Sequence, residues 1–189
     1  MSAPKPIYTL LFTKSSLYMN ESLEISIANL VNNAFQEIAN FENAPRFEKA
    51  SGVSKELGDE GVIAIAFEPV PGAGRDVPVA CISAGKYEAP GIEGEDGESG
   101  SQSQPPNYRL TATATHPTHR KKGLIPLCLT ALLTALPPTS KIWLETAESA
   151  NGAYWRKNGF ETVRSERKPA GFWGAEREFE WVVLRMVRG

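Results

Sequence analysis

Cysteine is scarce. The chain has two in 189 residues, Cys81 and Cys128, too far apart for a metal-type or redox-type pair. Each sits inside an apolar run, so both read as reduced core thiols rather than as a disulfide. An excess of charge of either sign is also missing. The formal net charge is −2, whereas a general nucleic-acid binder is normally basic. Long apolar runs are absent too. The longest, Leu124 to Leu136, falls short of a bilayer span, and the apolar patch in "MSAPKPIYTLLFTKSS" is too short for a signal segment. These absences predict a cytoplasmic protein with neither nucleic acid nor membrane as partner. No Walker lysine motif occurs, and "PGAGRDV" does not complete a dinucleotide fingerprint.

What is present suits a soluble globular chain: 41% hydrophobic and 22% charged residues, enough to bury a core. The length fits one domain over residues 1–189. "IYTLLFTK" reads as a first strand. Leu23, Ile27, Leu30, Val31, Ala34 and Ile38 recur at helical spacing, with Asn20 or Ser22 as the cap. "GVIAIAFE" and "VPVACISAGKYE" read as a buried hairpin. Residues 89–107, "APGIEGEDGESGSQSQPPN", hold almost nothing that can be buried and read as a disordered insertion, either a solvated connector or a lid. "YRLTATATHP" alternates like a strand. "LIPLCLTALLTAL" is a buried helix stopped by Pro137 and Pro138. "KIWLETAE", a short helix "NGAYWRKNG", and two strands around "PAGFWGAER" complete a mixed α/β order.

The junction "THPTHRKKGLIPLCLTALL" carries the most chemistry. A strand ends at Pro117, the basic residues Arg120, Lys121 and Lys122 follow, and Gly123 precedes a helix. Such a turn aims backbone N–H groups where the helix dipole is positive, and three cations add attraction for a polyanion. The sequence is equally compatible with an exposed basic turn before a core helix.

Together with "YWRKNGF", this stretch resembles the GCN5-related N-acetyltransferase (GNAT) family. The family's pyrophosphate-binding segment, Arg/Gln-x-x-Gly-x-Gly/Ala, matches Arg120, Lys121, Lys122, Gly123, Leu124 and Ile125. The tail "YWRKNGFETVRSERKPAGFWGAEREFEWVVLRMVR" is similar to a fungal subgroup of small-molecule acetyltransferases. The resemblance implies a GNAT fold: a mixed central sheet of about six to seven strands flanked by about four helices. It implies acetyl-CoA as co-substrate, no metal, a small-molecule amine acceptor, and a monomer or homodimer. Backbone groups of Thr113, Ala114 and Thr115 would hold the pantetheine arm. Rival readings are a silent acyl-CoA sensor and a protein or histone acetyltransferase.

There are departures from the family pattern. Ile125 stands where the family has Gly or Ala, and Pro126 lacks an N–H, so weaker or slightly displaced cofactor binding is expected. The family's acid tyrosine usually stands four residues before the glycine of Gly-Phe, and that position here is Trp155. Either its neighbour Tyr154 is the acid through a shifted helix register, or water serves. No base stands out: Arg109 occupies a place where some relatives carry an acid, and Glu145 and Glu148 are as well explained as solvated or capping groups. His116 and His119 read as surface or phosphate contacts. Phe172 and Trp173 are candidates for the acceptor wall, or else a hairpin staple.

Overall fold

A computed structural model describes residues 6–38, 40–41, 44–70, 72, 75–88 and 105–188. Residues 89–104, most of the expected insertion, lie outside the described residues; at its far end Asn107 already belongs to a strand.

The elements run β1 (Tyr8–Thr13), α1 (Lys14–Tyr18), α2 (Glu21–Gln36), α3 (Gly52–Leu57), β2 (Val62–Glu68), β3 (Val77–Lys86), β4 (Asn107–Thr115), α4 (Leu124–Ala135), β5 (Lys141–Ala147), α5 (Ala153–Lys157), β6 (Glu161–Lys168) and β7 (Phe179–Val187). The strands form a seven-stranded sheet in the order β1-β2-β3-β4-β5-β7-β6. β4 and β5 are parallel and the other neighbouring pairs are antiparallel. The expected mixed sheet is thus observed, with five α-helices among the described residues where about four were expected. Two boundaries differ from expectation. Lys14 opens α1 instead of closing β1, because Thr13 and Ser16 form a capping box. α2 ends at Gln36, before Ile38, although Asn20 caps its start as expected, accepting from the Leu23 amide.

Apolar alternation divides the sheet into two faces. α4 packs against β1 to β4 on one face, where Cys128, Leu129 and Leu132 meet Ala64, Ala66 and Ile82. The opposite face is covered in two separate patches. One places α1, α2 and α3 over Ile63, Ile65, Cys81, Ala112 and Ala114. The other gathers Phe41 and Phe172 over Trp143, Phe179, Trp181 and Val183. Both cysteines are buried and free, and burial pushes the Cys128 thiol up to about 11. Among the described residues no helix is long and apolar enough to cross a membrane.

One buried carboxylate holds this layer together. Ser51, the residue before α3, gives no side-chain cap. Glu24 of α2 reaches over instead, and its Oε1 accepts from the Ser54 amide at 2.9 Å within a site where Glu24 is only 4% exposed. An anion at the positive end of a helix, meeting an otherwise orphaned N–H, is favourable on both counts. Glu24→Ala is expected to destabilise the fold by about 1–3 kcal/mol. Thermal denaturation would then show a Tm lower by roughly 3–10 °C; an unchanged Tm would show that the bond contributes nothing.

Candidate active site

The central strand carries a defect where a regular sheet would have none. β4 pairs with β5 over Asn107, Tyr108 and Arg109 and no further. Against β3 its register shifts: Cys81 faces Ala114, but Ser83 faces Thr111, so Ala112 and Thr113 together oppose the single residue Ile82. This is a β-bulge, with Ala112 at φ 35, a value that L-residues other than Asn and Asp seldom adopt. The Cys81 thiol donates to the Ala112 carbonyl at 3.2 Å and fixes the bulge from β3. A bulged strand bends and twists, and beyond Arg109 the two parallel strands part. Ala114 and Thr115 therefore keep a ladder partner on the β3 side, Thr113 belongs to the bulge, and none of the three has a ladder partner on the β5 side among the described residues. Their backbone groups there are those of an open sheet edge.

The loop beyond this edge is built for exposed amides. Arg120 (φ −61, ψ 153) and Lys121 (φ 63) have the backbone of the central pair of a type II turn, Lys121 taking the place that favours glycine. Gly123 (φ 74, ψ 17) then leads into α4 without a side-chain cap. The first intrahelical bond is Leu127 N–H to the Gly123 carbonyl. The amides of Gly123, Leu124 and Ile125 meet no acceptor among the described residues, and Pro126 contributes none. Three donors thus stand at the positive end of a 12-residue helix. Leu124 is buried, and Ile125 packs against the core cluster beneath α4, so its bulk is taken up by the sheet side of the helix. Lys121 and Lys122 are exposed. Arg120 is not aimed at the loop's amides alone: its guanidinium pairs with Glu37 at the end of α2.

The two histidines do not behave alike. His116 is exposed, but His119 is 7% exposed. Both Nδ1 atoms lie 2.9 Å from Thr118 Oγ1, and His119 Nε2 is 3.2 Å from Glu68 Oε1 but outside hydrogen-bond geometry. His119 is therefore a packed strut beneath the loop and not the surface contact expected.

After β5 the chain makes a π-helical turn, Glu148–Gly152, which runs directly into α5. A Cβ at Gly152 would lie 2.2 Å from the Glu148 carboxylate, so a larger residue there has to push that side chain aside. That carboxylate is clamped by Arg156, which holds it below the usual range. Trp155 is buried against Phe160 in the core, which explains why an indole and not a phenol occupies that motif position. Tyr154 beside it is 39% exposed, and partial burial raises its phenol above the ordinary value.

Between the two patches on the opposite face runs a polar strip along β4 and β5. Its floor is Ser83, Thr111, Arg109 and Glu145, with Tyr87 just past β3. Ser83 Oγ and Thr111 Oγ1 are 2.7 Å apart. Glu145 Oε1 accepts from the Tyr87 hydroxyl at 3.2 Å and from Arg109 Nη1 at 3.4 Å. Burial keeps the Tyr87 phenol above its ordinary value, so it remains a donor. The Arg109 guanidinium lies 5.0 Å over the Tyr87 ring. The far wall is the turn at Phe172–Gly174, tied to the loop after α2 by the Phe41–Ala175 bridge and by Glu176 N–H to the Asn40 carbonyl. Phe172 is part of the packed patch. Trp173 is 49% exposed and held at φ 55 between Gly171 and Gly174. Among the described residues no group of His, Cys, Asp and Glu is gathered as a metal site.

The pairing of Glu145 with Arg109 and Tyr87 could not be read along the chain, because it depends on β3, β4 and β5 being neighbours. The available signals were an acidic residue inside the strand-like "KIWLETA" and Arg109 at a place where some relatives carry an acid.

No protein-family model matches the chain, and no curated protein matches it in sequence. Solved structures do match. NAA60 of Arabidopsis thaliana in complex with a bisubstrate analogue is 16% identical with a TM-score of 0.63, covering 97% of this chain and 100% of that one. The same protein in complex with acetyl-CoA aligns at a TM-score of 0.63 and 14% identity, covering 96% and 98%. The ribosomal-protein-S18-alanine N-acetyltransferase of Escherichia coli aligns at 0.61 and 12% identity, covering 96% and 95%. The fold is that of the GNAT acetyltransferases.

Proposed function

We propose that the protein is an acetyl-CoA-dependent N-acetyltransferase acting on a small primary amine. One observation supports this above the rest: within a GNAT fold, three unpaired amides at the start of α4 stand next to an unpaired edge of β4. The first group suits a diphosphate and the second suits the amides of a pantetheine arm.

In this reading the amides of Gly123, Leu124 and Ile125 bind the pyrophosphate, and Lys121 and Lys122 supply charge. Arg120 ties the loop to α2 through Glu37. Backbone groups of Thr113, Ala114 and Thr115 extend the β4 ladder onto the bound arm, and an N–H there polarises the carbonyl to be attacked. Bound acetyl-CoA supplies the thioester. The acceptor arrives as an ammonium and must lose a proton; Glu145, at the vertex of the split, receives it. The amine nitrogen attacks, the C–N bond forms, the nitrogen's second proton passes to water, and the C–S bond breaks. Tyr154 donates its phenolic proton to the departing sulfur and regains one from solvent. The balance is one ammonium and one thioester to one amide, one thiol and one released proton. Phe172 and Trp173 wall the acceptor. The tail motif "PAGFWGAER" supports the small-molecule subgroup.

The fold shared with the S18-alanine N-acetyltransferase supports a second reading, a protein N-terminus as acceptor. Thermal unfolding with millimolar acetyl-CoA is expected to raise the Tm by several degrees, because a ligand that binds only the native state stabilises it by mass action. A thiol-release assay with amines and with Ala-initiated peptides then separates the two readings. No Tm shift and no thiol release would remove both.

A further inference from the structure

The polar strip has a composition that a plain amine does not require. Where β4 meets β5 it offers a guanidinium and a carboxylate side by side, Arg109 and Glu145, on directly neighbouring strands. Their contact is loose: one N–O approach of 3.4 Å, with Arg109 43% and Glu145 20% exposed at the side chain. The Arg109 guanidinium is oriented by the Tyr87 ring beneath it, and Glu145 is oriented by the Tyr87 hydroxyl. A planar fork held on an aromatic face is well suited to receive a carboxylate by two parallel bonds. Farther along the same face Arg185 lies over Trp143, and Arg164 and Lys168 lie over Trp181, where Glu166 pairs with both of the latter.

We infer that the acceptor is a zwitterion, an amine bearing a carboxylate within a few bonds, as in an amino acid; this rests on the acetyltransferase reading above. Its ammonium takes the Glu145 carboxylate and its carboxylate takes the Arg109 guanidinium. The internal pair opens and each partner gains a new one, so neither charge is left unpaired in a half-buried place. An amine without an anion leaves Arg109 unmatched, and a diamine or a basic peptide brings a second cation toward the Arg109 guanidinium. The ion pair is therefore a specificity device, with Arg109 its discriminating member.

The test uses the full-length protein, with acetyl-CoA binding measured first by titration calorimetry. Thiol release is then followed for matched sets: an α- or ω-amino acid, its amide, the corresponding alkylamine and a diamine. The amino acid is expected to lead its amide by about 10- to 100-fold in kcat/KM, mainly through KM. Arg109→Met should collapse that ratio toward one, and Arg109→Lys should restore part of it, with acetyl-CoA affinity retained in both as a check on folding. Equal rates for amino acid and amide, or a preference for the diamine or for a peptide N-terminus, would overturn the zwitterion inference and leave the acetyltransferase reading standing. Absence of acetyl-CoA binding would fell that reading instead. In that case calorimetry of the amino acid alone, against its amide, decides the strip's preference, and failure to bind would overturn the inference too.

Discussion

Gly123→Val should weaken acetyl-CoA binding by about 10- to 100-fold while leaving the sheet intact. A Cβ on Gly123 meets nothing within 4 Å, so the effect is not a collision. It comes from the backbone, since φ 74 places the residue in the left-handed region, where a β-branched side chain costs about 1–3 kcal/mol. The chain can relieve that strain only by rotating the peptide that leads into α4. Rotation turns away the amides of Gly123 and Leu124, two of the three donors the loop offers. At about 1.4 kcal/mol per tenfold, strain alone accounts for most of the loss. Gly123→Asn, which tolerates positive φ, should bind more tightly than Gly123→Val. Titration calorimetry with acetyl-CoA measures all three proteins. Equal Kd values would mean that the diphosphate is held elsewhere.

Tyr154→Phe is expected to lower kcat by about 100-fold with little change in KM for acetyl-CoA, the usual scale for removing a positioned acid. The phenol must carry its proton when the C–S bond breaks. Burial, the leading cause of its shift, raises its pKa above the ordinary value near 10, and this keeps it neutral throughout the physiological range. Activity should therefore persist to alkaline pH and fall only as pH rises through that raised value, and the variant should lose this limb. The stability sign is the same. A group whose folded pKa is raised contributes below its unfolded value, and the contribution fades as pH passes the folded one. Trp155→Phe serves as the contrast, since Trp155 is buried in the core and its replacement should lower Tm more than kcat. A Tyr154→Phe enzyme with wild-type kcat and an unchanged alkaline limb would return the acid's role to water.

How much of this was visible along the chain follows from which forces are local. β2 and α4 were legible because each is an apolar run of the right length with punctuation at its ends. α1 was not, because five residues show no period, and the capping box that starts it is a two-residue exchange across a strand end. The loop at Gly123 was legible as composition, yet the engagement of Arg120 with Glu37 was not, since 83 positions separate them along the chain. Motif counting left either Tyr154 or water as the acid; what burial adds is that the Trp155 indole fills the core while Tyr154 turns outward. The bulge at Ala112 leaves no mark in "NYRLTATAT", which alternates well enough for an ordinary strand. It exists only relative to β3.

That bulge implies a rule about length. β4 has nine residues where eight would run straight alongside β3. Deleting either Ala112 or Thr113 would remove the two-against-one mismatch opposite Ile82 without turning any later side chain to the wrong face, and the straightened strand would then be free to pair with β5 beyond Arg109. The result would be a seamless seven-stranded platform, sturdier than its parent and closed to any guest. On the proposed reading, a single surplus residue separates a receptive molecule from a merely stable one.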